Sequence, residues 1–198
     1  MKGKKTLEKL APFRRSILFT AEDARKLGVS AALLDYYVKK GELKRLSRGI
    51  YRNVKAKTNL EFRWEDLIVV VLTIPEGAIC LLSALAVYGL TEEIAREHWI
   101  AIPHRLRARR RNGVRSIRMR DMTLGKTEMN LGGTKIPIFD RERTVVDSFR
   151  YLGREAAVKA LKMYYSGAGK AKPDIRKLRE YAKKLRVPIE PYLITVTT

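Results

Sequence analysis

The chain has 198 residues, with 42 Lys and Arg against 21 Asp and Glu, a formal charge of +21, and 45% apolar residues. An apolar fraction in the ordinary globular range excludes a disordered basic tail, and the length accommodates one domain or two small ones. The longest apolar run, Leu67 to Leu72, is far below the roughly 18 residues that cross a bilayer, so no membrane partner is expected; a basic N-terminus without an apolar segment predicts a cytoplasmic protein.

In chain order, residues 6–13 are expected to form a short helix ending near Pro12. Thr20 and Asp23 stand in capping-box relation at the start of AEDARKLG, with Gly28 as the stop and Ala24, Leu27 and Val29 as the buried side. Ser30 then caps AALLDYYVKK, which Gly41 ends. Two short helices across a tight glycine-containing turn predict a helix-turn-helix. The segment ELKRLSRGIYR reads as a hairpin, with Leu43 to Leu46 and Ile50 to Arg52 as strands and Ser47-Arg48-Gly49 as the turn. A helix-turn-helix followed by a basic hairpin is a winged helix.

On a helical wheel Leu33, Leu34, Tyr37 and Val38 form one stripe, the expected core, and Ala32, Asp35, Tyr36 and Lys39 lie opposite. The small Ala32 lets that side approach base edges closely, and Tyr36 and Lys39 have the reach to touch bases or phosphates. Asp35 is expected on a solvated face, paired with Lys39 one turn on, for about 0.3 kcal/mol. Lys39, Lys40, Lys44, Arg45 and Arg48 would present one continuous basic rim to phosphate.

Residues 53–59 read as a linker, separating a domain over 1–55 from one over 60–198. LEFRWEDLIVVVL predicts a helix with Leu60, Trp64, Leu67, Ile68 and Val71 buried; CLLSALAVYGL predicts a second, stopping at Gly89. The strands HWIAIP and RSIRMR follow. Between them stand Arg105, Arg107, Arg109, Arg110 and Arg111, either a solvated loop or one that tracks phosphates or an acidic partner. MNLGGTKIPIF reads as a hairpin turning at Gly132-Gly133. Asp140 caps the helix RERTVVDSFRY, in which Arg143 and Asp147 make a structural i,i+4 pair. Helices near Ala156 to Tyr165 and Asp174 to Leu185 follow.

The lone Cys80 excludes an intrachain disulfide, and His98 and His104 have no third ligand at metal spacing, so neither metal nor cofactor is expected. The glycines form no dinucleotide or phosphate-binding loop. The charge points to nucleic acid over anionic lipid, because the basic residues are spread through globular sequence.

GVSAALLDYYVKKGELKRLSRGIYR in the first half, then LLSALAVYGLTEEI, HWIAIP, IFDRERTVVDSFRY and LREYAKKLRV, in that order, resemble the transcriptional-regulator antitoxins of the abortive-infection E type (AbiEi). The resemblance implies an α+β chain: an N-terminal winged helix-turn-helix followed by a larger mixed α/β antitoxin domain. It also implies a repressor of its own operon that binds inverted repeats in double-stranded DNA. The cognate toxin would be a nucleotidyltransferase-like enzyme, opposed in type IV fashion without a stable complex. The recognition-helix positions map to Ser30 through Lys40 and the wing to Arg45 through Tyr51, which adds Ser30 and Ser47 to the DNA-contacting set.

Two other readings compete with a non-enzymatic DNA-binding regulator. A metal-dependent nuclease needs acidic residues converging on an ion. Asp140, Glu142 and Asp147 are the close cluster, but Glu142 and Asp147 are five apart on one helix, a poor match to one face. An RNA-binding module fits the charge but lacks an aromatic stacking pair on a strand.

Overall fold

A computed structural model describes residues 18–56, 60–74, 76–108, 111–168 and 171–197; the helix expected over 6–13 lies outside them. The chain forms two compact units, Met1–Pro75 with Glu128–Ile136, and Glu76–Thr127 with Pro137–Thr198.

The first unit opens with strand β1 (Leu18–Thr20), followed by helices α1 (Ala21–Lys26) and α2 (Ala31–Lys39). Thr20 and Asp23 close the expected capping box: the Asp23 amide donates to the Thr20 hydroxyl oxygen, and the Thr20 amide donates back to Asp23 Oδ2 at 2.9 Å. Strands β2 (Leu43–Ser47) and β3 (Ile50–Asn53) make the predicted hairpin. β1 was not anticipated; three residues are too short to show an alternating pattern, yet β1 pairs with β3 and gives an antiparallel sheet in the order β1-β3-β2. Phe19, Ala24, Val29, Leu34, Tyr37, Leu43 and Tyr51 form the core beneath, with the Phe19 and Tyr51 rings 5.9 Å apart. Helix-turn-helix, then sheet and hairpin, is the winged-helix order. Leu27, expected inside, is 37% exposed, because it caps α1 just where the chain turns outward.

Helix α3 (Phe62–Leu72) buries Leu67, Ile68, Val70 and Val71 as a helical stripe, while Trp64 and Leu60 stay half-buried. Glu65 takes a buried place in their stead and accepts from Arg52 Nη2 at 3.2 Å. That partner, 13 residues back along the chain, is a tertiary contact that helical periodicity does not reveal.

The second unit begins with β4 (Ala78–Ile79) and α4 (Leu81–Val87), then β5 (His98–Pro103) and β6 (Val114–Met119). β7 (Lys126–Leu131) and β8 (Thr134–Phe139) form the expected hairpin, whose residues 128–136 are grouped with the first unit, with Gly132 and Gly133 both at positive φ. The five strands run in the order β6-β5-β4-β8-β7. Four helices follow: α5 (Arg141–Tyr151), α6 (Arg154–Tyr165), α7 (Ile175–Leu185) and α8 (Glu190–Thr197). Asp140 caps α5 through the Arg143 amide at 2.8 Å. Val145, Val146, Leu161, Tyr164, Leu178 and Leu193 bring α5 to α8 around one apolar cluster that also takes in Leu85 and Leu90.

β5 and β6 are parallel neighbours, with His98 opposite Val114 and Pro103 opposite Met119. Residues 104–113 therefore have to carry the chain back along the whole of β5, about 17 Å at roughly 3.3 Å per residue. The connection between β5 and β6 is a crossover, and β6 is the outer strand of the sheet among the described residues.

Candidate nucleic-acid interface

The sequence of α2 divides its surface cleanly. Ser30 caps it, accepting from the Leu33 amide at 3.3 Å. Leu34 and Tyr37 are buried and Leu33 and Val38 pack against the same core. Ser30, Ala31, Ala32, Asp35, Tyr36, Lys39 and Lys40 are all exposed. Burial, then the charge of Glu42, raises the Tyr37 phenol's pKa and keeps it neutral within the core. Its neighbour Tyr36 points outward: it is 45% exposed, meets the Tyr37 ring edge-on at 5.4 Å, and carries Lys40 Nζ 4.8 Å from its ring centroid. The Tyr36 phenol beside it raises the pKa of Lys40.

The wing continues this basic surface. Lys44, Arg45 and Arg48 are exposed and Ser47 is half-buried. The register slips between Arg45 and Ser47, a bulge that turns the end of β2. Gly49 takes φ +76, a conformation an L side chain adopts only with strain, and its carbonyl accepts from the Ala21 amide at 2.8 Å. The turn that presents Arg48 is thus fastened to the first residue of α1.

Among the described residues, Lys39, Lys40, Lys44, Arg45 and Arg48 form no ion pair with a carboxylate, whereas Arg52 on the next strand is committed to Glu65. The expected pair between Asp35 and Lys39 does not form. Pairs of the same spacing close at Glu22–Lys26 (3.3 Å), Glu155–Lys159 (2.7 Å) and Glu180–Lys184 (2.6 Å). The same spacing also closes with an aspartate at Arg143–Asp147, at 2.6 Å, where both side chains are buried.

In the second unit Arg105 Nη2 reaches both carboxylate oxygens of Glu76 at 2.6 Å, and Lys126 Nζ donates to the Glu76 carbonyl at 3.2 Å. Arg107 and Arg111 are exposed, and the backbone of Arg111 bridges to Val114. Arg109 and Arg110 lie outside the described residues. β6 adds exposed Arg115 and Arg118, the former with its guanidinium 4.3 Å from the Trp99 ring.

The acidic cluster that a nuclease would need is turned to other use. Lys177 Nζ lies 3.0 Å from Asp140 Oδ2 and 3.2 Å from Glu142 Oε2. Burial opposes the charge on Lys177, but these two carboxylates outweigh it and raise its pKa. Tyr164 donates to Glu142 Oε1 at 2.7 Å and accepts from the Asp174 amide at 2.6 Å; burial, then Glu142, raises its pKa. Asp147 accepts from Arg143 Nε at 2.6 Å and Arg150 Nη1 at 2.8 Å. The carboxylates face cations of the chain itself, and among the described residues no group of three or more His, Cys, Asp or Glu side chains is placed to hold a metal ion. No described helix is long and apolar enough to cross a membrane.

Residues 8–54 match the model of a family described as transcriptional regulator, AbiEi antitoxin. The match takes in α1, α2, β2 and β3, and so the exposed basic residues of α2 and the wing, but not those of the second unit. No curated protein matches the chain. Among solved structures, the crystal structure of RV2827C protein from Mycobacterium tuberculosis is similar at 13% identity and a TM-score of 0.47, covering 90% of this chain and 71% of that one.

Proposed function

We propose that the chain is a non-enzymatic, sequence-specific DNA-binding repressor that acts as the antitoxin of a type IV toxin–antitoxin system in the cytoplasm and represses its own operon through inverted repeats. Residues 1–55 are the DNA-binding domain and residues 60–198 the antitoxin-type domain. The observation that carries this reading is the exposed face of α2 and the adjoining wing, with five cations that form no ion pair with a carboxylate among the described residues, inside the segment that matches a regulator family. The helix enters the major groove, with Ala32 allowing close approach, Tyr36 reaching base edges and Ser30 at the entering end. Lys39, Lys40, Lys44, Arg45, Ser47 and Arg48 hold the phosphates on either side. Arg105, Arg107, Arg109, Arg110 and Arg111 are a second set of phosphate contacts. The toxin, a nucleotidyltransferase-type enzyme, is opposed without a stable complex.

Fluorescence anisotropy of the full chain tests the proposal, with the duplex from upstream of its own gene and a scrambled duplex of equal length, at two salt concentrations. The upstream duplex is expected to bind more tightly, and its advantage to persist as salt rises. Equal binding to both, lost with salt, would overturn sequence-specific repression and favour an RNA-binding role. With about five to eight phosphates neutralised, the slope of log affinity against log salt should lie near −4 to −7. Arg48→Ala should weaken all duplexes about equally and make that slope shallower by about one unit. An unchanged slope would remove the wing from the phosphate contacts.

A further inference from the structure

Asp35 is the unexplained residue of the α2 face. At about 100° per residue, the centre of the exposed arc runs through Ala32 and Lys39, with Asp35 and Tyr36 about 50° to either side. The first turn presents Ser30, Ala31 and Ala32, all small, so Asp35 is the first side chain with any length on the surface that enters the groove. Its carboxylate forms no ion pair or hydrogen bond among the described residues, although Lys39 stands one turn away. Lys40, the next cation along, is placed over Tyr36. A free carboxylate in the middle of a basic face repels the phosphates that the face attracts. Unless it gains a hydrogen bond in the complex, it costs affinity on every DNA sequence.

The major groove offers such a hydrogen bond at one kind of base edge in particular. Cytosine presents the N4 amino group, a donor without an adjoining acceptor, whereas adenine's amino group adjoins the N7 acceptor and guanine shows only acceptors. We propose that Asp35 is a specificity-determining residue that accepts a hydrogen bond from a cytosine N4 amino group in the major groove, admitting the operator and repelling other sequences. This rests on the DNA-binding function proposed above. The pairing also orders the two neighbours on the face: Asp35 selects by charge and Tyr36 by reach, and the central Ala32 keeps the helix close enough for so short a side chain to arrive.

The test is enrichment from a randomised duplex library by the full-length wild type, by Asp35→Ala and by Asp35→Asn, followed by anisotropy on the winning duplex and on random DNA. Wild type is expected to enrich a motif with one C·G pair that Asp35→Ala no longer distinguishes, with about a tenfold loss at that pair. Asp35→Asn should move the preference there toward adenine, the base an amide reads through N6 and N7. On random DNA both variants should bind more tightly than wild type, since a negative charge is gone, while on the wild-type winner Asp35→Ala should bind more weakly. Tighter binding of Asp35→Ala to both duplexes would overturn the proposal and leave Asp35 on a solvated face. A motif unchanged by either substitution would overturn it too, with DNA recognition intact. Failure of wild type to enrich any motif would remove specific recognition itself, and this inference with it.

Discussion

Asp147→Ala is expected to lower the stability of the second unit by about 3–5 kcal/mol, the cost of leaving one partner of a buried ion pair uncompensated. Arg143 is fully buried and Asp147 is 1% exposed. The guanidinium donates through Nε to Asp147, through Nη1 to the Leu124 carbonyl at 3.0 Å and through Nη2 to the Asp121 carbonyl at 3.1 Å, and it sits 4.7 Å from the Phe139 ring centroid. Removing the carboxylate strands that cation where water does not reach it. Gly125 encloses the same spot: a Cβ there would fall 2.7 Å from Arg143 Cβ, and its φ of +68 already disfavours a side chain. Equilibrium urea unfolding measures the loss. Asp147→Asn, which keeps an acceptor, should lose less, and replacing Arg143 and Asp147 together by Met and Leu should recover much of the stability. A loss under about 1 kcal/mol for Asp147→Ala would mean that solvent enters and hydrates the guanidinium. DNA binding through α2 and the wing should survive any of these changes that leaves the chain folded, because none of the residues concerned is on that face.

What the sequence made legible follows from the range over which each signal acts. The capping box at Thr20, the cap at Ser30, the two-sided α2 helix and the glycine turns are local, and residues three or four apart settle them. Arg143 and Asp147 are likewise visible as a pair one turn apart. Their burial is not, because it depends on Leu124, Asp121 and Phe139 arriving from other elements. Glu65 and Arg52 make the same point, as a glutamate on an otherwise apolar stripe becomes explicable only when the partner from β3 is known. The strands on either side of residues 104–113 were legible as strands, but their parallel pairing was not, since it depends on partners elsewhere in the sheet. Asp35 misled in the opposite way. Its spacing to Lys39 promised an ion pair, and none forms between them.

The largest change in DNA binding is expected from removing Lys39, Lys40, Lys44 and Arg45 together, each replaced by Ala. Four lost phosphate contacts should make the salt slope shallower by about 3–4 units. If the intact protein neutralises about five to eight phosphates, its affinity falls by about 10³–10⁴ between 50 and 200 mM salt, and the variant's by only about 3-fold to 10²-fold. Anisotropy titrations across that range measure both. The four side chains are exposed and outside the core of the first unit, so the unfolding midpoint should stay close to that of the intact protein, and a change in slope reports on DNA and not on folding. The loss should be nearly uniform across duplexes, because phosphates carry no sequence information directly, and Tyr36 and Asp35 remain in place to discriminate among them. Lys40 is the exception to watch, because it stands over the Tyr36 ring, so restoring it alone tells its phosphate contact from its hold on Tyr36. A slope that stays at the wild-type value would place the phosphate grip elsewhere on the chain, and the exposed Arg107, Arg111, Arg115 and Arg118 would be the next side chains to replace.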